Sequence, residues 1–361
     1  MSDFICVGLD VHARSIQGCA KNFETGEVWE KKMPNQPDVV LLWCLSLPGP
    51  CYVVYEAGPT GYELVRVLRE HGVAADVLAP SKVLTAAGDR VKTDRRDAQR
   101  LAMVAGFPDP PVIWIPDCET EAARDVYRCR EDAMLTKKSS MLRLDHFLLR
   151  HQRQWDHSTW TKAHVEWLMS QRFEQDCLQT TYDAYLGMVL DQRREVDALD
   201  KLIVTQYACL PRWEPVVTAL ECLRGISTLT AFGLAVEIGD WSRLSPVTIG
   251  SYVGLVPSES SSGESRSQAG ITKTGNSHVR RLLVEAAWEH LKPYRPTQSP
   301  TLQRAWGKVS PVIKTRADHA NRRLHDKWMH LEQRHKNRGK AVVAVARELS
   351  GFCRDLAIMA T

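Results

Sequence analysis

Asp10, Glu56, Asp94 and Asp97 are the residues whose type and setting could do chemistry. Asp10 ends the apolar run Phe4-Ile5-Cys6-Val7-Gly8-Leu9, which is short and β-prone and is followed by a second β-like run from Arg14 to Asn22. Glu56 ends the run Cys51-Tyr52-Val53-Val54-Tyr55, after which Gly58-Pro59-Thr60-Gly61 turns the chain into the helical pattern Leu64, Val65, Val67, Leu68. Both acids therefore fall at strand ends. Asp94 and Asp97 stand three apart in Val91-Lys92-Thr93-Asp94-Arg95-Arg96-Asp97-Ala98, at a helix start capped by Thr93 or Asp94, so they project from one face. One acid in such a place is ordinarily a solvated cap or a partner of the helix dipole. Four of them in one compact βαβ-rich segment make a carboxylate cluster that can share divalent cations. Two such ions roughly 3.5–4 Å apart stabilise the attacking and the leaving oxygens of an in-line displacement, so the chemistry is phosphoryl transfer. Hard carboxylate oxygens are what magnesium prefers.

The elements that must position these acids can be read in order. The first 110 or so residues give three strands, the third near Val28 to Lys32, then a helix (Asp38 to Leu45), a strand, a helix, a strand (Val73 to Leu78) and a helix. A meander followed by alternating helices and strands is the order of ribonuclease-H-like domains. Prolines 108, 110, 111 and 116 mark a boundary, giving a first domain over 1–113. The stretch 114–212 is helical. From Cys118 to Arg150 it lacks turn signals and carries Tyr127, Met134, Met141 and Leu148 at sevenfold spacing, and likewise Leu135, Leu142 and Leu149. Tyr182, Tyr185, Val189, Val196, Leu199 and Ile203 form a second such pattern, and the pair reads as an antiparallel coiled coil or a dimerising hairpin. The tryptophan-rich link between them (Trp155, Trp160, Trp167) gives no readable role. The third domain, 213–361, reads as mainly α, with a helix-hairpin-helix-like element centred on Gly225, where the backbone can approach a phosphate.

Further along, Ser258-Glu259-Ser260-Ser261-Ser262-Gly263 and Gly270-Ile271-Thr272-Lys273-Thr274-Gly275 precede a helix carrying His278, Arg280 and Arg281. Serine and glycine in such density predict a flexible loop. Chemically, a serine hydroxyl there could attack a phosphodiester while Lys273, Arg280 or Arg281 screens the phosphate charge, although no general base is evident beside it. Lys92, Arg95 and Arg96 by the acids, together with Gly225, Lys273, Arg280 and Arg281, are the expected nucleic-acid contacts. Over the whole chain, 47 Lys and Arg against 43 Asp and Glu give only +4, but from Lys292 to Lys340 the acids are Asp318, Asp326 and Glu332 alone. A polyanion suits that stretch, and Trp306 and Trp328 lie within it. Its histidines, from His319 to His335, recur at intervals of five or six and so do not share a helix face, which argues against zinc. Ten scattered cysteines predict buried, reduced thiols. The absence of a long apolar run and of a basic leader predicts a soluble, cytoplasmic protein with no membrane span.

Taken together, Gly8-Leu9-Asp10-Val11-His12, Tyr55-Glu56-Ala57-Gly58, Lys92-Thr93-Asp94-Arg95-Arg96-Asp97-Ala98, Gly225-Ile226 and the loops Pro257 to Gly263 and Gly270 to Gly275 resemble the DEDD transposases of the IS110 family, including its IS1111 subgroup. That resemblance implies a RuvC-like first domain, a coiled coil that assembles protomers, and a carboxy-terminal transposase domain. It implies that Asp10, Glu56, Asp94 and Asp97 bind Mg2+, as two ions that Mn2+ can replace. It implies a nucleophilic serine forming a phosphoserine link to DNA. Ser262 is the residue that matches, five after Pro257 and directly before Gly263, with Ser260 and Ser261 beside it in register. Expected partners are donor and target DNA, a structured non-coding guide (bridge) RNA, and further copies of the chain, a dimer assembling to a tetramer. The expected setting is the nucleoid of a bacterial or archaeal cytoplasm. Two other readings stand beside this one: a metal-dependent junction or structure-specific nuclease with water as nucleophile, and a catalytically idle nucleic-acid-binding protein.

Overall fold

A computed structural model of the chain describes residues 4–83, 93–262 and 265–361, leaving aside the side chains of 260–262, 265–269 and 298. The chain divides into two compact units, Met1–Pro116 and Asp117–Thr361. The first holds β1 (Ile5–Val11), β2 (Ser15–Lys21), β3 (Val28–Pro34), α1 (Pro37–Leu45), β4 (Cys51–Glu56), α2 (Glu63–Glu70), β5 (Ala74–Leu78) and α3 (Asp94–Ala105). Its five-stranded sheet has the order β3-β2-β1-β4-β5. β1 pairs antiparallel with β2 and parallel with β4, and so lies at the centre, covered on both faces.

Period-two alternation assigns each face. Ile5, Val7 and Leu9 of β1 and Val53 and Tyr55 of β4 share a core with Val40, Leu41 and Trp43 of α1 and Leu64, Val65 and Leu68 of α2. The alternate residues, Cys6 of β1 and Val54 of β4, pack with Leu101, Val104 and Ala105 of α3. Asp10 follows Cys6 and Gly8, and Glu56 follows Val54, so both acids belong to the face that α3 covers. Gly8 sets how closely the helix approaches: a Cβ there would lie 2.2 Å from the Ala102 nitrogen and 2.3 Å from the Ala98 oxygen.

The second unit is mainly helical: α4 (Cys118–Arg150), α5 (Lys162–Ser170), α6 (Asp176–Leu202), α7 (Glu214–Leu220), α8 (Thr228–Ile238), α9 (Ile249–Tyr252), a hairpin of β6 (Pro257–Ser262) and β7 (Ser265–Ile271), α10 (Ser277–Ala287), α11 (Pro300–Trp306), α12 (Pro311–Gln333) and α13 (Arg338–Ala360). α4 and α6 run antiparallel, as Arg130 bonding Asp200 at one end and Phe147 meeting Tyr182 at the other require. Tyr182, Val189, Val196 and Ile203 are buried at their sevenfold spacing, whereas Leu135, Leu142 and Leu149 are 66%, 48% and 58% exposed. The tryptophan-rich link closes the tip of this pair: Trp155, Trp160 and Trp167 surround His164, whose Nδ1 accepts from the Trp160 backbone N–H at 2.8 Å.

Two expectations change. The serine-rich stretch is a β-hairpin, with Pro257 opposite Ile271 and Ser262 opposite Ser265. Its ladder rests on backbone pairing, and a serine run carries no hydrophobic period from which a strand could be read. The cysteines are also not uniformly buried, since Cys118, Cys129, Cys177 and Cys209 are exposed. Larger apolar side chains hold the packed faces of α4 and α6. No helix among the described residues is long and apolar enough to cross a membrane.

Candidate functional site

α3 begins at a built cap. Thr93 is extended, and its hydroxyl accepts from the Arg96 N–H at 3.3 Å, so the first helical turn presents Asp94 and Asp97. Asp97 starts the inner stripe that continues through Ala98, Leu101 and Ala105. Small residues at 98 and 102 lay that stripe on Gly8, which carries Asp97 toward the strand ends.

The side chains form two linked groups. Asp10, His12 and Asp94 offer ligand atoms within 4.8 Å of one another. His12 Nε2 lies 3.1 Å from Asp10 Oδ2 and 3.6 Å from Asp94 Oδ1. In the second group Arg100 Nη2 lies 3.1 Å from Asp97 Oδ1 and 3.4 Å from Glu56 Oε1. Asp10 joins the groups electrostatically. Burial pushes its carboxyl above the usual range, the charges of Asp97 and Asp94 push it the same way, and His12 opposes them. A site in which ionising one carboxylate is made costly by burial and by two neighbouring carboxylates is one that a divalent cation would relieve, and its donors are the hard oxygens that such an ion takes.

His12 and Arg100 were not among the residues expected from the sequence. Each carried a signal: His12 is two residues beyond Asp10 at the strand end, hence on the same side, and Arg100 is three beyond Asp97 on a helix, within ion-pair reach. Arg100 Nε is buried without a hydrogen-bond partner among the described residues.

The expected nucleic-acid contacts fare differently from one another. Lys92 lies outside the described residues. Arg95 Nε binds Glu30 at 2.7 Å, and Arg96 is exposed on the first turn of α3. Arg280 donates to the carbonyls of Val253 and Thr274, both at 3.0 Å, and Arg281 pairs with Glu131 and Glu285. Lys273 is exposed with φ +56°. Gly225, with φ +80°, has an internal packing reason as well, because a Cβ there would lie 2.3 Å from the Ala286 oxygen of α10. Beside this turn a cleft of about 580 Å³ is lined by Arg224, Lys292, Tyr294 and Arg295. Of the serine hairpin, the described side chains include Ser258, whose hydroxyl donates to the Gly270 carbonyl at 2.9 Å.

A mixed sheet that sets acids at two adjacent strand ends against two more from a covering helix defines a DEDD-type catalytic domain. Residues 7–152 match the profile of DEDD transposases of IS110 type, and residues 217–300 match that of the IS116/IS110/IS902 family of transposases. The chain is 38% identical over 306 residues to "Putative transposase y4qE" of Sinorhizobium fredii, covering 83% of this chain and 74% of that protein. It is 31% identical over 347 residues to the transposase for insertion sequence element IS1533 of Leptospira borgpetersenii, covering 92% and 98%. The transposase for element IS1111A of Coxiella burnetii is 22% identical over 298 residues. The chain belongs to the IS110 family of DEDD transposases, enzymes that cut and rejoin DNA.

Proposed function

We propose that this protein is an RNA-guided DNA recombinase that mobilises its own insertion sequence, using a Mg2+-bound DEDD centre and Ser262 as nucleophile. The observation that carries the reading is the gathering of Asp10, Glu56, Asp94 and Asp97 on the α3-covered face of the sheet in a chain of this family. Asp10 with Asp94, and Glu56 with Asp97, would hold the ions. When bound, Mg2+ supplies a Lewis acid that stabilises charge on the attacking and departing oxygens of the phosphodiester. His12 hydrogen-bonds Asp10 at 3.1 Å and sits between it and Asp94. Arg100 keeps Glu56 and Asp97 together and offsets their charge.

Ser262 Oγ forms a bond to phosphorus as the bond from phosphorus to the DNA oxygen breaks, and that oxygen leaves as a strand-end hydroxyl. The phosphoserine ester conserves the bond energy, and attack by another strand's hydroxyl returns the serine. Sequence choice is delegated to pairing between the guide RNA and the donor and target DNA, while the protein reads backbone and shape. The RuvC-like domain, the 114–212 helices and the 213–361 domain divide the work into metal chemistry, assembly and strand transfer, in a cytoplasmic, nucleoid-associated oligomer. The exposed spacing of Leu135, Leu142 and Leu149 supports the assembly role.

Ser262→Ala tests the mechanism. The variant should form no covalent protein–DNA adduct on denaturing gels while still binding DNA. Persistent adduct would refute the serine. Metal-dependent cutting without any adduct, in both variant and wild type, would favour a nuclease that uses water.

A further inference from the structure

We propose that the turn joining α12 to α13, residues 334–340, is a docking surface for the phosphate backbone of duplex DNA. In seven residues it holds Arg334, Lys336, Arg338 and Lys340 with His335 and no acid, and every one of the seven is exposed. Several cations elsewhere on the two helices have acid partners: Arg323 and Lys327 share Glu348 at 2.8 and 2.6 Å, Arg322 meets Asp318 at 3.1 Å, and Arg316 pairs with Asp355. In the turn, Arg338 reaches Glu332 at 3.1 Å. Among the described residues no carboxylate lies within ion-pair distance of Arg334, Lys336 or Lys340.

The backbone holds these charges in place. The N–H of Lys336 bonds to the Leu331 carbonyl at 3.1 Å and that of His335 to Glu332 at 2.9 Å, which is a Schellman closure of α12. His335 occupies its left-handed position with φ +51°, where glycine would sit without strain. Asn337 then caps α13, accepting from the Gly339 N–H at 2.8 Å. The first turn of this 23-residue helix has no acid and instead carries Arg338 and Lys340. Cations at the positive end of a helix dipole raise each other's energy, and a polyanion reverses the sign of that cost. Asn337 Oδ1 is taken by the cap, and the turn offers no aromatic side chain larger than an imidazole. It is therefore equipped to hold phosphates and not to stack unpaired bases.

This surface rests on the reading that the chain holds DNA, and is independent of its metal and serine chemistry. The test is binding of the full-length protein to a random-sequence DNA duplex in EDTA across a salt series. Combined Arg334→Gln, Lys336→Gln and Lys340→Gln should lower the slope of log affinity against log salt by about 2–3, since each phosphate contact contributes about 0.9. The affinity should fall roughly tenfold or more, by the same counterion-release relation. Lys336→Gln alone should lower the slope by about 1. An equal fall with the matched triple Lys138→Gln, Arg143→Gln, Lys162→Gln, all exposed elsewhere on this unit, would overturn the proposal as a mere effect of net charge. So would an unchanged DNA slope, including one accompanied by weakened binding of structured RNA. Wild-type protein that fails to bind duplex in EDTA would sink the DNA reading itself, and this surface with it.

Discussion

Arg100 reaches Glu56 and Asp97 together, and so does for these carboxylates what a divalent ion would do more strongly. Its guanidinium would compete with a bound ion for the same oxygens. Arg100→Gln should therefore act in opposite directions with and without metal. In EDTA the variant should lose about 1 kcal/mol, the scale of a partly exposed charged bond, because two facing carboxylates lose their shared cation. With Mn2+ or Mg2+ added, its melting temperature should rise more than that of wild type. An equal loss under both conditions would show that Arg100 is a structural strut and not a stand-in for the ion. The acids themselves were legible in the sequence because each ends or begins an element with a clear local signature. Arg100 and His12 were not singled out, because a basic side chain two or three residues from an acid is commonplace until a sheet and a helix bring the groups together.

At the scale of elements, Glu237 ties α8 to α4 and α10. It is fully buried, accepts from Arg128 Nε and Nη2 at 2.7 and 2.9 Å, and accepts from Asn276 Nδ2 at 2.8 Å. Burial pushes its carboxyl up, but the bonds from Arg128 and Asn276 outweigh burial and hold it below the usual glutamate range. A carboxylate depressed on folding contributes stability above its unfolded pKa, and that contribution is lost as pH falls through the folded value. Glu237→Gln should cost about 1–3 kcal/mol at neutral pH, since the charge-assisted bonds that the buried carboxylate accepts from Arg128 and Asn276 become weaker neutral ones. The variant's denaturant midpoint should also vary less than that of wild type as pH falls below about 4.5, by the same linkage. Parallel pH profiles of the two proteins would remove Glu237 from the account. None of this network was readable in advance, because Arg128, Glu237 and Asn276 lie on three separated segments. The helices themselves were readable: Cys118–Arg150 is uninterrupted by turn residues and matches the expected span. The serine hairpin was missed for the converse reason, that its strands have no apolar alternation.

On the whole-molecule scale, the three leucines of α4 are the feature that packing within the chain leaves unexplained. Leu135, Leu142 and Leu149 recur at sevenfold spacing and stay exposed, while Tyr182, Val189 and Val196 of α6 are buried within the pair. A sevenfold apolar seam left in solvent suits a second helix from another copy. Leu142→Glu should shift the protein toward monomer in sedimentation and leave the melting temperature of the monomer itself unchanged, since Leu142 is already solvated within one chain. An unchanged oligomer distribution would place the assembly interface elsewhere. Within the first unit, the contact at Gly8 has a longer reach than its size suggests. No side chain stands between β1 and α3 there, so the gap between the two acid-bearing elements is gauged by main-chain atoms alone. Cys6, Leu101 and Val104 fill the rest of this interface, while the closest approach of the two elements is set at position 8. One methyl group at position 8 would lever the helix outward and yield a protein with every acid present and no common ion. In that sense the residue that most strictly calibrates the centre is the one that contributes no atom to it.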